Sequence, residues 1–275
     1  MLQKAFSVYN DYFDECILYI ETGKLHLALW IATAENNSIQ GFELFRFEEV
    51  DAENFEETLY QVKQNSRLFF VKLSGVQIID EEAKAMAIPS ALYQNHLNED
   101  YLSLMHGSNG EMIINTDIVA GITFISAQVP KKLFAFKKYF PLAATTHKHA
   151  LLFKKYARQK KTEFENTVNI LLYPEHFIIA ALKNGMLQLI QSKEYSNAED
   201  VLYMILNTCT QSNLALKETL FTICGLIDEQ SSLYNLLHLY LENLVAECTT
   251  EIILDAEGFN EFPAHYFASF FNYMV

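Results

Sequence analysis

Residues 16–47 read CILYIETGKLHLALWIATAENNSIQGFELFRF, and their pattern decides the fold. Cys16–Ile20 is a short apolar run, and Glu21-Thr22-Gly23-Lys24 supplies turn chemistry. Leu25, Leu27, Leu29 and Ile31 then alternate with Lys24, His26, Ala28 and Trp30. A period of two marks a strand, because successive side chains leave a sheet on opposite faces. Residues 34–38 form a polar loop, and Gly41–Phe47 is a third strand-like run. The chain is therefore expected to open with a three-strand antiparallel meander. A helix should follow, capped by Asn54 with Glu57 three residues on, as in a capping box. Phe55, Leu59 and Val62 fall on one face of it, and Leu68–Leu73 returns to strand character.

Residues 167–209 repeat this order. Val168–Tyr173 reads as a strand, Pro174-Glu175-His176 as a turn and Phe177–Leu182 as a second strand. Asn184-Gly185 is a strong hairpin signal, and Met186–Gln191 is a third strand. Ser196, with Glu199 three residues on, is expected to cap a helix. The apolar face of that helix is Ala198, Val201, Leu202, Ile205, Leu206 and Cys209. Leu220–Cys224 returns as a strand. The residues do not repeat but the order of elements does, which points to a duplicated domain.

Between the copies, Ile113–Val129 reads as a strand, with a helix beginning at or just after Pro130. Thr145–Arg158 reads as a strand passing into a helix, and Gln159–Thr162 as the hinge. Beyond the second copy, Gln230–Leu244 is expected to be helical, Glu251–Leu254 a strand and His265–Met274 a final helix. The domain scheme is 1–158 for the first half, 159–260 for the second, and a helix in 261–275 packing back on the first half.

Net charge is −14, unevenly spread: residues 161–275 hold 4 basic and 15 acidic side chains. So acidic a chain is a poor match for nucleic acid, whose phosphates dominate such binding. Yet Lys131–Lys161 holds ten of the 20 basic residues and no acid, so it is a candidate to meet an acidic partner or a phosphate. The apolar stretches 118–129 and 170–182 fall short of a membrane-spanning helix. MLQKAFSVYNDYFDE lacks the apolar core of a signal peptide, so a cytoplasmic chain is expected. Cys16, Cys209, Cys224 and Cys248 are widely spaced in apolar runs and read as buried thiols.

The twofold order of meander, helix and strand resembles the actin-like ATPase superfamily of actin, sugar kinases and Hsp70. It is similar, more closely, to a bacterial domain family of unknown function with a degenerate actin-like ATPase fold. That family is similar in turn to the cytoplasmic actin-like proteins of pilus assembly. The resemblance implies an α/β fold of two ribonuclease-H-like halves, with mixed sheets flanked by helices. It also implies three nucleotide loops. The first would be Glu21, Thr22, Gly23 and Lys24, with Glu in place of the usual Asp. The second, Tyr173-Pro174-Glu175-His176-Phe177, has no glycine to let the backbone approach a phosphate, and Pro174 has no N–H to donate. The third, an adenosine motif at Cys224-Gly225, keeps one glycine of two.

Other chemistry is sparse. No P-loop, G-x-S-x-G or H-E-x-x-H occurs. His147 and His149 would share a strand face, and Glu21, Asp117 and Glu175 are the carboxylates to nominate for a remnant metal site. His26, beside Trp30, reads as structural, and Gly107–Gly110 as a loop. The expectation is a non-catalytic pseudo-ATPase that binds another protein and no cofactor, with the basic stretch and the aromatic tail Phe259–Tyr273 as surfaces to watch. The alternative is an ATPase or kinase-like enzyme with divergent phosphate loops, using ATP and Mg.

Overall fold

The computed structural model describes residues 2–13, 15–33, 38–48, 54–82, 84–107, 111–119, 121–158, 163–174, 176–247, 253, 254, 256 and 257–274. The expected hinge 159–162, Glu175, Cys248, most of the polar loop 34–38, residues 108–110 and the start of the 251–254 strand lie outside these. The chain forms two compact units. One is Met1–Leu151 with Ile252–Phe259, and the other is Leu152–Glu251 with Asn260–Val275.

The first unit begins with β1 (Gln3–Tyr9), β2 (Cys16–Thr22), β3 (His26–Thr33) and β4 (Ile39–Arg46). β2, β3 and β4 are the expected antiparallel meander. β1 was not foreseen; it pairs antiparallel with β4 as an outer strand, half-exposed and so without a clean apolar alternation. α1 (Phe55–Asn65) leads to β5 (Leu73–Asp80), which runs parallel to β2. Asn54 is the N-cap, but its side chain makes no capping bond, so the expected capping box is not formed. Leu68–Phe70 is one turn of 3-10 helix, and the strand starts only at Leu73.

An insertion follows: β6 (Lys84–Pro89), α2 (Asn98–His106), β7 (Ile113–Val119) and β8 (Ile122–Gln128). These strands form a separate three-stranded sheet in the order β6-β8-β7. The single strand expected over 113–129 is thus an antiparallel hairpin. α3 (Pro130–Tyr139), with proline in its first turn, leads to β9 (Ala144–His147), which joins β5 in parallel. The main sheet reads β1-β4-β3-β2-β5-β9.

Its core lies where Leu18, Ile20, Leu27, Leu29 and Ile31 meet α1 and α3. The Phe55 and Phe136 rings sit 5.2 Å apart there. Each such side chain contributes about 1.5–3 kcal/mol on full burial. Glu43 of β4 is buried without destabilising this core, because it is fully bonded: Lys4 Nζ (3.1 Å), Tyr9 Oη, Ser66 Oγ (2.5 Å) and Arg67 N (2.8 Å) all donate to it. Burial and that carboxylate push the Tyr9 phenol above its ordinary range.

α4 (Lys148–Arg158) carries the division between the units, at Leu151/Leu152. The second unit then has β10 (Asn166–Leu172), β11 (His176–Lys183), β12 (Met186–Glu194), α5 (Ala198–Gln211), β13 (Thr219–Gly225), α6 (Ser232–Tyr240), β14 (Leu244–Ala246) and α7 (Ala268–Phe271). Its sheet reads β12-β11-β10-β13-β14. β10-β11-β12 is an antiparallel meander, and β13 and β14 are parallel additions. That is the first unit's β4-β3-β2-β5-β9 again, with the same senses of pairing. The Asn184-Gly185 turn has positive φ at both residues, 53° and 73°, as a type I′ turn requires.

Three expectations are corrected here. Asn197, not Ser196, caps α5: its side chain accepts from Asp200 N at 2.9 Å, while Asp200 Oδ2 accepts from Ser196 N at 2.9 Å. Gln230–Leu244 is helical only from Ser232 to Tyr240 and ends in β14. The tail 261–275 clusters with the second unit: Tyr173 Oη donates to Ser269 O at 3.0 Å and packs edge-on against Phe270. Among its described residues, only Ala268–Phe271 is α-helical. Phe259, Phe267, Phe270, Phe271 and Tyr273 are buried, so this aromatic stretch is core rather than a partner face.

Cys16, Cys209 and Cys224 are buried thiols outside any disulfide. Burial pushes the Cys209 thiol up to about 11. A raised acid stabilises the fold below its unfolded value, about 8.5, and that contribution is lost as pH climbs from there to the folded value. Native protein at about pH 8 should therefore alkylate Cys209 far more slowly than the urea-unfolded chain does, since the thiolate is the nucleophile. Mass spectrometry of the labelled peptide checks this, and equal rates in the two states would contradict it.

Candidate functional site

In open α/β sheets, ligands bind outside the carboxyl ends of the strands. In the first unit, Thr22 at the end of β2 stands opposite Asp80 at the end of β5, and Asp80 stands opposite His147 at the end of β9. Three strand ends therefore bring Glu21, Asp80, Glu81, His147 and Lys148 to one edge. All five are buried.

Lys148 Nζ donates to Glu21 Oε2 at 2.5 Å, with both side chains 0% exposed. His26, at the start of β3, places Nε2 3.4 Å from Glu21 Oε1 and 3.8 Å from Glu81 Oε2. The His26 ring lies against Gly23, where a Cβ would fall 2.2 Å from its Cε1. Gly23 N donates to His26 O at 3.1 Å, closing the turn under the ring. Asp80 is held separately: Gln128 Nε2 donates to its Oδ2 at 3.2 Å, and Lys132 Nζ sits 3.8 Å from Oδ1 and 2.6 Å from Glu82 Oε2. His147 Nδ1 accepts from His149 N at 3.0 Å.

A pocket of about 190 Å³ shares Gly23 and Asp80 with this edge. Lys24, Lys84 and Lys132 line it, with Phe55 among its apolar walls. Several described lysines of the basic run 131–161 are taken up in ion pairs. Lys132 pairs with Glu82, Lys138 with Glu56, Lys148 with Glu21 and Lys155 with Glu247.

In the second unit, the turn after β10 places Tyr173 N on His176 O at 2.9 Å, with the two rings stacked at 4.5 Å. Tyr195 Oη donates to Tyr173 O at 2.8 Å and to Pro174 O at 3.3 Å. Gly225 has φ 108°, and a Cβ there would fall 2.0 Å from Leu172 O. Its N donates to His265 O at 2.8 Å. His265 Nε2 lies 3.0 Å from the Ile227 carbonyl, which only accepts, so this nitrogen carries the proton. Cys224 is buried beside it, 3.5 Å from Asn272 Nδ2.

Glu21, Thr22, Gly23 and Lys24 thus occupy the β2–β3 turn, and Cys224 and Gly225 the end of β13. Of the three nominated carboxylates, Asp117 lies on β7 of the inserted sheet, and Glu175 is outside the described residues. Among the groups that meet Glu21 are His26 and Lys148, with Glu81 next to His26. His147 and His149 do not share a strand face, because the helix starts at Lys148, though their rings touch at 4.9 Å. Sequence reasoning missed Lys148, Glu81 and Asp80. Asp80-Glu81-Glu82 ending an apolar strand was the available signal.

The profile of a family described as proteins of unknown function, DUF3822, matches residues 4–244. The chain belongs to the DUF3822 family. Among solved structures, this DUF3822 chain is similar to a protein from Bacteroides thetaiotaomicron with an actin-like ATPase fold and unknown function. The TM-score is 0.71 at 17% identity, over 85% of this chain and 91% of that one. It is also similar to the PilM–PilN type IV pilus biogenesis complex, with TM-score 0.53 and 10% identity over 87% and 90%. At such identities the likeness shows the fold, and the fold is that of the actin-like ATPases. A search among curated proteins gives no match. Among the described residues, no helix is long and apolar enough to cross a membrane.

Proposed function

We propose that this chain is a non-catalytic actin-like module that works by binding another protein. The observation that carries the reading is the seating of Lys148 and His26 at the β2–β3 turn. In the superfamily this turn would offer a carboxylate to a hydrated metal and a bare glycine to a phosphate. Here an ammonium 2.5 Å from Glu21 takes one carboxylate oxygen, and an imidazole covers Gly23. Both contacts speak against nucleotide and its magnesium at this turn. Gly225 supports the same reading, since Leu172 O lies where its Cβ would be and its N–H is bonded to His265. PilM in complex with PilN is the precedent for an actin-like fold that acts through a protein partner. A bacterial, cytoplasmic setting belongs to this proposal.

Thermal denaturation with Mg-ATP tests it. A ligand that binds only the native state adds RT ln(1 + [L]/Kd), about 2.7 kcal/mol at a hundredfold excess over Kd. The expected result is no change in Tm at millimolar Mg-ATP. A concentration-dependent rise accompanied by phosphate release would favour the enzyme reading instead.

A further inference from the structure

Glu21, His26 and Glu81 bring three buried potential ligand atoms together beside the β2–β3 turn. His26 Nε2 lies 3.4 Å from Glu21 Oε1 and 3.8 Å from Glu81 Oε2. The first is a long hydrogen bond, against about 2.7–3.2 Å for a well-formed one. Donors that share a tetrahedral metal ion at about 2.0–2.2 Å stand roughly 3.3–3.6 Å apart, so the 3.4 Å pair already has that spacing, and Glu81 Oε2, at 3.8 Å from the imidazole, must close in to join it. All three donor atoms lie within 4.8 Å of one another, and all three residues are buried. We propose that Glu21 Oε1, His26 Nε2 and Glu81 Oε2 form a site for a divalent transition-metal ion of the zinc class.

The surroundings are those of a held ligand set. Lys148 fixes Glu21 through Oε2, which directs Oε1 to the imidazole. Such outer contacts orient metal ligands and tune them. The His26 ring is set against Gly23, where any side chain would displace it. Glu81 is tied to the same turn through its backbone, Glu81 N donating to Thr22 O at 3.1 Å. The backbone of one tight turn and one neighbouring strand end thus positions all three donors. An imidazole with two carboxylates suits zinc, cobalt or manganese, whereas magnesium and calcium prefer oxygen-only shells. The site differs from the nucleotide-bound magnesium of an ATPase, because it uses the very imidazole that covers the phosphate seat.

The test uses the full chain, stripped with a chelator and free of nucleotide. Cobalt(II) titration should give the visible absorption of a low-coordinate site at one equivalent, and zinc should displace it. Zinc should raise Tm where equal magnesium does not. His26→Gln and Glu81→Gln should each abolish the cobalt band and weaken zinc binding by about tenfold or more, with folding checked by circular dichroism. His149→Gln should leave both unchanged. A folded wild-type chain with neither a cobalt band nor a zinc-dependent Tm would overturn the proposal, even if the variants fail to fold. So would zinc binding that survives both ligand substitutions. Since no nucleotide is present, failure here leaves the interaction-module reading untouched, and the Mg-ATP result leaves this one untouched.

Discussion

Gly225→Ala should leave the second unit unfolded or nearly so at room temperature. The added Cβ would sit 2.0 Å from Leu172 O and 2.9 Å from that residue's C and N. These are backbone atoms of β10, paired directly with β13 in the middle of a five-stranded sheet, so they cannot swing aside as a side chain would. The φ of 108° adds strain that only glycine escapes. We expect a loss of about 4 kcal/mol or more, a large share of the roughly 5–15 kcal/mol that holds a domain together. Gly185→Ala is the control. It also has a positive φ, 73°, but nothing lies within 4 Å of its Cβ position, so only the left-handed backbone cost of about 1–2 kcal/mol applies. Urea denaturation followed by circular dichroism compares them. Equal midpoints for the two variants would refute the steric argument.

Lys148→Ala should cost about 3–5 kcal/mol, because it strands the Glu21 carboxylate in a dry site. Both partners are 0% exposed and 2.5 Å apart, so water cannot replace the ammonium without opening the fold. The loss should be much smaller in a Glu21→Gln background, where no charge is left unpaired. Lys148→Met with Glu21→Gln should come close to wild-type stability, since a buried ion pair is often matched by neutral residues of like volume. The exposed pair Lys138–Glu56, with side chains 61% and 55% accessible, gives the contrast: its removal should hardly move the unfolding midpoint. A double-mutant cycle on Glu21 and Lys148 measures the coupling. A coupling energy near zero would mean that Lys148 does not balance the charge of Glu21.

Local pattern carried the meanders well. The alternation in Leu25–Ile31 and the Asn184-Gly185 turn correspond to β3 and to the β11–β12 hairpin. It failed where an element has only one covered face or too little context. β1 shows only Val8 buried, so it lacks an apolar stripe. The run from Ile113 to Val129 hides a hairpin, because apolar residues continue through its bend. The aromatic tail resembled a long amphipathic helix but is mostly turns, since its rings fill space around β13 and the Tyr173 turn rather than one helix face.

By itself the sequence determined the order of elements, their duplication and the turns that needed glycine, because those rest on propensities and periods a few residues long. The tertiary structure alone decided what surrounds the first turn. Glu21 meets a lysine 127 residues away, and the meeting exists only because β5 joins β2 and β9 joins β5 in parallel. Parallel strands bring their carboxyl ends together whatever the chain distance between them. No local pattern encodes which side chains arrive there, nor whether a cation, an imidazole or open space faces the carboxylate.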